Sequence, residues 1–314
     1  MLRVLVTGAG GFVGRALVER LARERDYEVV AAVRKRVPPV SGIELVRIDD
    51  IDKDTDWSTA LEGVSIIVHA AGRAHVLADE AADPLTEFRR VNVDGTVNLA
   101  RSAAAAGVCR FVFISSIGVN GSATERPFTE YDTPAPSEPY AVSKYEAEQS
   151  LHELGRATGM EIVIIRPPLV YGRGAPGNVQ RMVRAIERGI PLPFGKIDNR
   201  RTLIALPNLV DLIITCMGHP AATNETFLAG DGEDLSTGDL LRRLGKAQGK
   251  HVILLPVPAV LLKMVLCIVG RCADARRLTA SLQVDIGKAR TVLGWSPPWS
   301  VNDAIAEMAA EKPA

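Results

Sequence analysis

Thr7-Gly8-Ala9-Gly10-Gly11-Phe12-Val13-Gly14 decides the fold. The stretch follows a short apolar run, Arg3 to Val6, and opens an amphipathic one, Phe12 to Arg23, in which Val13, Leu17 and Leu21 share a face. A glycine pattern alone is weak, but between a strand and a helix it has a physical reading. Gly8 permits a tight turn, Gly11 lets backbone approach a ligand, and Gly14 allows close packing of the helix. Such a turn aims the helix N-terminus, with its unpaired N–H groups and dipole, at a pyrophosphate. The loop therefore predicts dinucleotide binding by Gly8, Gly10, Gly11, Phe12, Val13 and Gly14.

Outward from the loop, short β-branched runs alternate with amphipathic stretches, the pattern of a parallel sheet built from βαβ units. Strands are predicted at Arg3 to Val6, Glu28 to Val33, Ile43 to Arg47, Ser65 to His69, Arg110 to Ser115 and Glu161 to Arg166. All six are nearly continuous apolar runs, which fits a sheet covered on both faces. Helices are predicted at Phe12 to Arg23, at Asp83 to Ala106, where Asp-Pro supplies an N-cap and a first-turn proline, and at Tyr140 to Thr158. Beyond Arg166 the chain becomes rich in proline and glycine, and shorter elements follow. Helices are expected near Val179 to Arg188 and Pro207 to Met217 and after Ser236, Asp274 and Asp303, with a strand at Glu225 to Ala229. The expected architecture is α/β: a Rossmann-type doubly wound parallel sheet over residues 1–166, and a smaller C-terminal substrate lobe over 167–314 that shares some elements with it.

Composition narrows the function. Lys and Arg number 37, as do Asp and Glu, so the formal net charge is zero, and the surplus of cations that marks a phosphate-backbone binder is missing. No nucleic-acid partner is expected. Cys109, Cys216, Cys267 and Cys272 are scattered without a CxxC pair or zinc-ligand spacing, so free or buried thiols and no metal are expected. His69, His75 and His152 read as packing or surface residues. The N-terminus carries no secretory signature, which points to the cytoplasm. The 18-residue tract from Val252 to Val269 is apolar apart from Lys263, but Pro256 and Pro258 interrupt it. The helix left is about 18 Å long against a hydrocarbon core of about 30 Å, so a strand and a core helix are expected, with a helix on a membrane surface or in a subunit interface as the alternative, and no transmembrane span.

Two further constellations carry chemistry. The ribose of a dinucleotide is read about 20 residues beyond the glycine loop, where an acid suits NAD and an arginine suits the 2′-phosphate of NADP. Arg34 and Lys35 stand there, so NADP(H) is favoured and NAD(H) stays open. Tyr140 and Lys144, four residues apart, share one face of a helix. A free phenol, with a pKa of about 10, is a poor base, and a neighbouring ammonium lowers that value. Ser116 ends the fifth strand on the ligand-binding side of the sheet, where it can hold a substrate oxygen.

T-G-A-G-G-F-V-G, H-A-A-G at 69–72, N-V-D-G-T at 92–96, S-S at 115–116 and Y-A-V-S-K at 140–144 together resemble the extended short-chain dehydrogenase/reductase superfamily, in its nucleotide-sugar epimerase/dehydratase branch. The resemblance spans nearly the whole chain. It implies that Tyr140 moves the hydroxyl proton, Lys144 holds the nicotinamide ribose and tunes Tyr140, and Ser116 bonds the substrate oxygen. By the same resemblance Asp50 and Ile51 meet the adenosine, Ala70, Ala71 and Gly72 line the cofactor, Asn92 steadies that region, and Pro167 in R-P-P-L-V-Y-G passes the nicotinamide. Asn178, Arg201 and Arg277 would contact the substrate diphosphate. Leu169 departs from the asparagine common in sugar epimerases, and Ile117 and Gly118 stand where dehydratases carry Asp-Glu. The implied partner is a nucleotide sugar, UDP-linked, and a homodimer is compatible. The favoured expectation is an NADPH-dependent reductase of a UDP-4-keto-6-deoxy-hexosamine in surface-polysaccharide synthesis. The alternative is a UDP-glucose or UDP-N-acetylglucosamine 4-epimerase with tightly bound NAD. A non-catalytic dinucleotide-sensing regulator is a remote third, since mere binding needs no tuned phenol.

Overall fold

Six runs rich in valine and isoleucine form strands, because β-branched side chains suit a pleated, packed surface. They are β1 (Leu2–Thr7), β2 (Tyr27–Val33), β3 (Ile43–Arg47), β4 (Ile66–His69), β5 (Arg110–Ile114) and β6 (Glu161–Arg166). The computed structural model describes residues 1–35, 41–74, 83–268, 275 and 278–310. The later strands are β7 (Leu169–Tyr171), β8 (Arg201–Ala205), β9 (Thr226–Leu228) and β10 (Asp234–Leu235). The large sheet runs β3-β2-β1-β4-β5-β6-β9 and is parallel throughout, while β10-β8-β7 form a separate small sheet. Strand order reverses between β1 and β4, so the crevice at their carboxyl ends is the place where such a sheet receives a ligand.

The helices that matter here are α1 (Phe12–Leu21), α2 (Pro84–Arg89), α3 (Gly95–Ala105), α4 (Pro139–Thr158), α5 (Asn178–Glu187), α6 (Leu206–Gly218), α7 (Thr237–Ala247) and α8 (Ala259–Ile268). Two more cover Gly287–Leu293 and Val301–Ala309. Strand periodicity divides the core. Val4 and Val6 join Leu17 of α1 and Ile213 of α6 on one face of the sheet, whereas Leu5 joins Leu99 of α3 and Leu151 of α4 on the other. The doubly wound architecture is thus the one expected. A third cluster, with Tyr171, Phe194, Leu241 and Ile305, fills the lobe built around the small sheet.

Five details depart from the sequence reading. The edge strand β3 is open to solvent on much of its length, since only β2 flanks it and Leu45 stays exposed. The helix expected from Asp83 to Ala106 begins as predicted, with the Asp83 carboxylate accepting from the Leu85 and Thr86 N–H groups, but Arg90–Asp94 forms a π turn between α2 and α3. The apolar helix predicted at 258–269 exists as α8, yet only Leu262 is buried, so it is a surface helix and not a core one. No strand forms over 252–257; isolated bridges join Leu254 to Leu192 and Pro258 to Lys196. Cys109 and Cys216 are free thiols, whereas Cys267 is disulfide-bonded, against expectation. The helix expected after Asp274, like His75 and Cys272, falls largely outside the described residues.

Candidate functional site

Gly8 turns the chain at φ 69°, and a Cβ there would lie 2.7 Å from the Ala71 nitrogen, so the loop is pressed against the end of β4. The Gly11 N–H closes the turn on the Gly8 carbonyl at 2.8 Å. A Cβ on Gly14 would meet that same carbonyl oxygen at 2.2 Å, so the third glycine packs the helix onto the loop itself. Thr7 Oγ1 bonds the His69 ring at 2.7 Å and accepts from the Ala71 N–H at 3.3 Å, tying β1 to β4 beneath the crevice. Gly11 gives the α1 N-terminus no side-chain cap, which leaves its first N–H groups for an external acceptor.

Above this loop lies a cavity of about 480 Å³. Gly8, Gly10, Gly11, Arg34, Lys35, Asp50, Ile51, Ala70, Ala71 and Gly72 border it. Phe12, Val13 and Gly14 do not; Phe12 instead packs toward the smaller lobe and Val13 against the sheet core. Arg73, Arg90 and Val91 border it too and were not foreseen, because nothing local in sequence marks the loop after β4 or the π turn as cavity wall. Side-chain-free turns at the switch point and an uncapped helix end fit a pyrophosphate, so the residues present suit a dinucleotide.

At the Asp50 end of the cavity the charges are paired. Asp50 meets Arg34 at 3.3 Å and Arg90 at 3.0 Å, and Arg90 also reaches Glu87 at 3.3 Å. Partial burial pushes the Asp50 carboxyl up, but the Ile51 N–H and the two guanidiniums outweigh it and hold it below its ordinary value. Arg34 is therefore answered in part by Asp50, which the sequence spacing did not reveal.

A second cluster of the candidate site residues is assembled around α4. Asn92, carried on the π turn, donates to Ser143 Oγ at 3.0 Å and to the Arg73 carbonyl at 3.1 Å, and accepts from the Arg73 N–H at 2.8 Å. Ser143 Oγ in turn donates to the Tyr140 carbonyl at 2.8 Å, so one asparagine anchors both the first turn of α4 and the loop beyond Gly72. Lys144 is buried, with Nζ 3.9 Å from the centre of the Phe113 ring and 3.9 Å from where a Cβ on Gly72 would lie. The ring of the half-buried Tyr140 meets that of Phe88 in a tilted, edge-type contact, with centroids 5.9 Å apart. Ser116 follows β5, and its Oγ accepts from the Gly118 N–H at 3.1 Å. The buried Pro167 carbonyl accepts from the Ile117 N–H at 3.0 Å, fixing the turn that carries Ser116.

Burial governs the titration of this cluster. It pulls the Lys144 ammonium down to about 7, with Glu148 one turn further on opposing the fall. Tyr140 moves the other way from the expectation: burial pushes its phenol up to about 12. A lysine that is only partly charged near neutrality does little to lower the phenol, and a ligand that restores the ammonium would lower it. His69 is pulled down to about 3 by burial and by Lys144, and remains a neutral link between Thr7 and Thr96. It is a buried connector.

Beneath the cluster lies a network that no motif announced. Arg166 donates to Glu148 through Nε at 3.0 Å and to Asn120 at 2.9 Å, and Ser115 donates to the same Glu148 carboxylate. It joins α4, β5 and β6 behind Ser116 and Lys144. In the smaller lobe Asn178 opens α5 after Gly177, and Arg201 opens β8 with Nη1 3.3 Å from the Ala280 carbonyl. Neither borders the 480 Å³ cavity. Arg277 lies outside the described residues. Among the described residues no cluster of His, Cys, Asp and Glu is spaced to hold a metal, and no helix is long and apolar enough to cross a membrane.

A dinucleotide cradle at the switch point of a doubly wound sheet, beside a helix bearing Tyr140 and Lys144, defines a short-chain dehydrogenase/reductase type of protein. Residues 4–230 match the NAD dependent epimerase/dehydratase family, and the chain belongs to that family. It is 45% identical to a UDP-glucose 4-epimerase of Vibrio cholerae over 98% of this chain and 94% of that one. A UDP-glucose 4-epimerase of Mycolicibacterium smegmatis is 30% identical over 98% of this chain and 97% of its own. The fold superposes on a UDP-glucuronic acid 4-epimerase of Bacillus cereus solved with NAD, at a TM-score of 0.81 and 22% identity, covering 98% of both chains.

Proposed function

We propose that the protein is a 4-epimerase of a UDP-linked hexose that works with NAD. The observation that carries this reading is the 45% identity to the Vibrio cholerae UDP-glucose 4-epimerase across 98% of the chain. Gly8, Gly10 and Gly11 would hold the pyrophosphate, Asp50 and Ile51 the adenosine, and Ala70 to Gly72 the path to the nicotinamide. When bound there, the dinucleotide supplies the acceptor and donor of hydride at carbon 4. Tyr140 Oη takes the proton of the sugar hydroxyl and returns it. Lys144 Nζ would hold the ribose hydroxyls, which would repay part of its desolvation and so favour the ammonium that Tyr140 needs. Ser116 Oγ already accepts from the Gly118 N–H, so its own O–H remains to donate to the reacting oxygen. Asn178, Arg201 and Arg277 are assigned to the diphosphate. Ile117 and Gly118 can move no proton, so no dehydration at carbons 5 and 6 is expected.

Reduction of a UDP-4-keto-6-deoxy-hexosamine by NADPH is the second reading. It is favoured by Arg34, Lys35, Arg73 and Arg90 around a cavity in which Asp50 is the only acidic residue among the described ones. The two are separated by extracting the nucleotide that copurifies and assaying two mixtures. Bound NAD, with interconversion of UDP-glucose and UDP-galactose or their N-acetyl forms and no added reductant, is the expected result. Stoichiometric NADPH oxidation by the ketone, without interconversion, would reverse the order.

A further inference from the structure

Ten residues, Ala259–Ile268, form a helix with a single charge, Lys263, and with only Leu262 buried. A helix apolar on nearly all sides normally sits in a core. Here Val260 is 71% and Ile268 79% exposed, and Leu261, Met264 and Val265 are exposed between them. The segment before the helix continues the surface: Ile253 and Leu255 are also exposed, and their carbonyls accept from the Leu192 and Gly195 N–H groups, both at 2.9 Å, which brings in the exposed Ile190. More than half of the large hydrophobic side chains exposed among the described residues belong to this one ridge. Single exposed apolar residues need no explanation, but a contiguous patch does.

We propose that this ridge seats the smaller lobe on the surface of an anionic lipid bilayer. The chain as a whole is neutral, yet residues 178–200 contribute exposed Arg181, Arg184, Arg188, Lys196 and Arg200 against Glu187 and Asp198. Residues 250–268 add Lys250 and Lys263 and no acid. Lys250 joins the two segments by donating to the Glu187 carbonyl at 3.2 Å. Lys196 bridges to Pro258 at the start of α8, and Lys250 and Lys263 lie in the tract itself, so an apolar ridge with these cations matches acyl chains bordered by anionic headgroups, with Lys263 long enough to reach back to the headgroup level. A second copy of the same face is disfavoured, because a two-fold contact would set these cations against one another. At about 1.5 Å per residue, α8 is about 15 Å long, so it lies on a bilayer and does not span it. The proposal concerns where the lobe rests and is independent of the reaction performed.

Vesicle flotation of the full chain tests it, with phosphatidylcholine alone and with phosphatidylcholine and phosphatidylglycerol at about seven to three. Flotation with the anionic vesicles, weakening with added salt and at least about tenfold weaker on phosphatidylcholine alone, is expected. The double variant Val260→Gln/Val265→Gln should lose binding about tenfold or more at an unchanged melting temperature, and Lys263→Glu should lose it on its own. No flotation, flotation equal for the variants, or a wild-type dimer in lipid-free solution that the double variant dissociates would overturn the proposal.

Discussion

Lys144 enters the site at a cost, since its ammonium lies against the Phe113 ring with little water around it and titrates near 7. The unfolded chain keeps that lysine protonated up to about 10.4, so between about 7 and 10 the unfolded state binds the extra proton and the unliganded protein gains stability as pH rises. Below about 7 both states carry the charge and the penalty is present in full. Lys144→Met should therefore raise the melting temperature of the unliganded protein by several degrees at pH 6 and leave it nearly unchanged at pH 10, as calorimetry can read. Tyr140 is the complementary case, a phenol that burial holds near 12 until charge arrives beside it. Tyr140→Phe preserves the ring against Phe88 and is expected to keep dinucleotide affinity, measured by fluorescence titration, while turnover falls about 10²–10⁴-fold.

The glycine loop and α4 work because other elements deny them room to move. A methyl group on Gly14 would overlap the Gly8 carbonyl, so Gly14→Ala should push the loop off the end of β4 and weaken dinucleotide binding by at least about tenfold in an equilibrium titration. The ion pair of Glu148 with Arg166 holds α4 to β6; Glu148→Gln leaves a buried guanidinium uncompensated and should cost about 3–5 kcal/mol in a denaturant titration. The loop was legible in sequence because its demands are local: a positive φ, a missing Cβ, a helix start. The first six strands were legible for the same reason, as uninterrupted β-branched runs. Asn92 was readable as a site residue only through resemblance, and the π turn that aims it was not, since its geometry depends on packing between α2, α3 and α4. Glu148, Arg166 and Arg90 were missed because an ion pair across distant segments leaves no spacing signal. Arg34 was read as a phosphate reader, and its engagement with Asp50 appears only once β2 and the end of β3 lie side by side. Tract 252–269 was misjudged because apolar composition says nothing about which neighbour, or solvent, will face it.

At the scale of the molecule, the smaller lobe is grown from the large sheet. β9 returns from beyond β8 to complete the sheet beside β6, and α6 covers the same face as α1. Substrate contacts assigned to Asn178 and Arg201 are thereby carried by a lobe rooted in the scaffold that positions Ser116, Tyr140 and Lys144. Such an arrangement suits a reaction in which hydride leaves and returns at one carbon while the nucleotide end of the substrate stays held. The central claim is that this cycle closes on itself. UDP-glucose carrying deuterium at carbon 4 should be incubated with the purified protein, without added nucleotide or reductant, and the UDP-galactose formed should be isolated for mass and NMR analysis. Retention of deuterium at carbon 4 of the product is the expected result. Absence of UDP-galactose, or product whose carbon 4 carries only protium, would contradict the account.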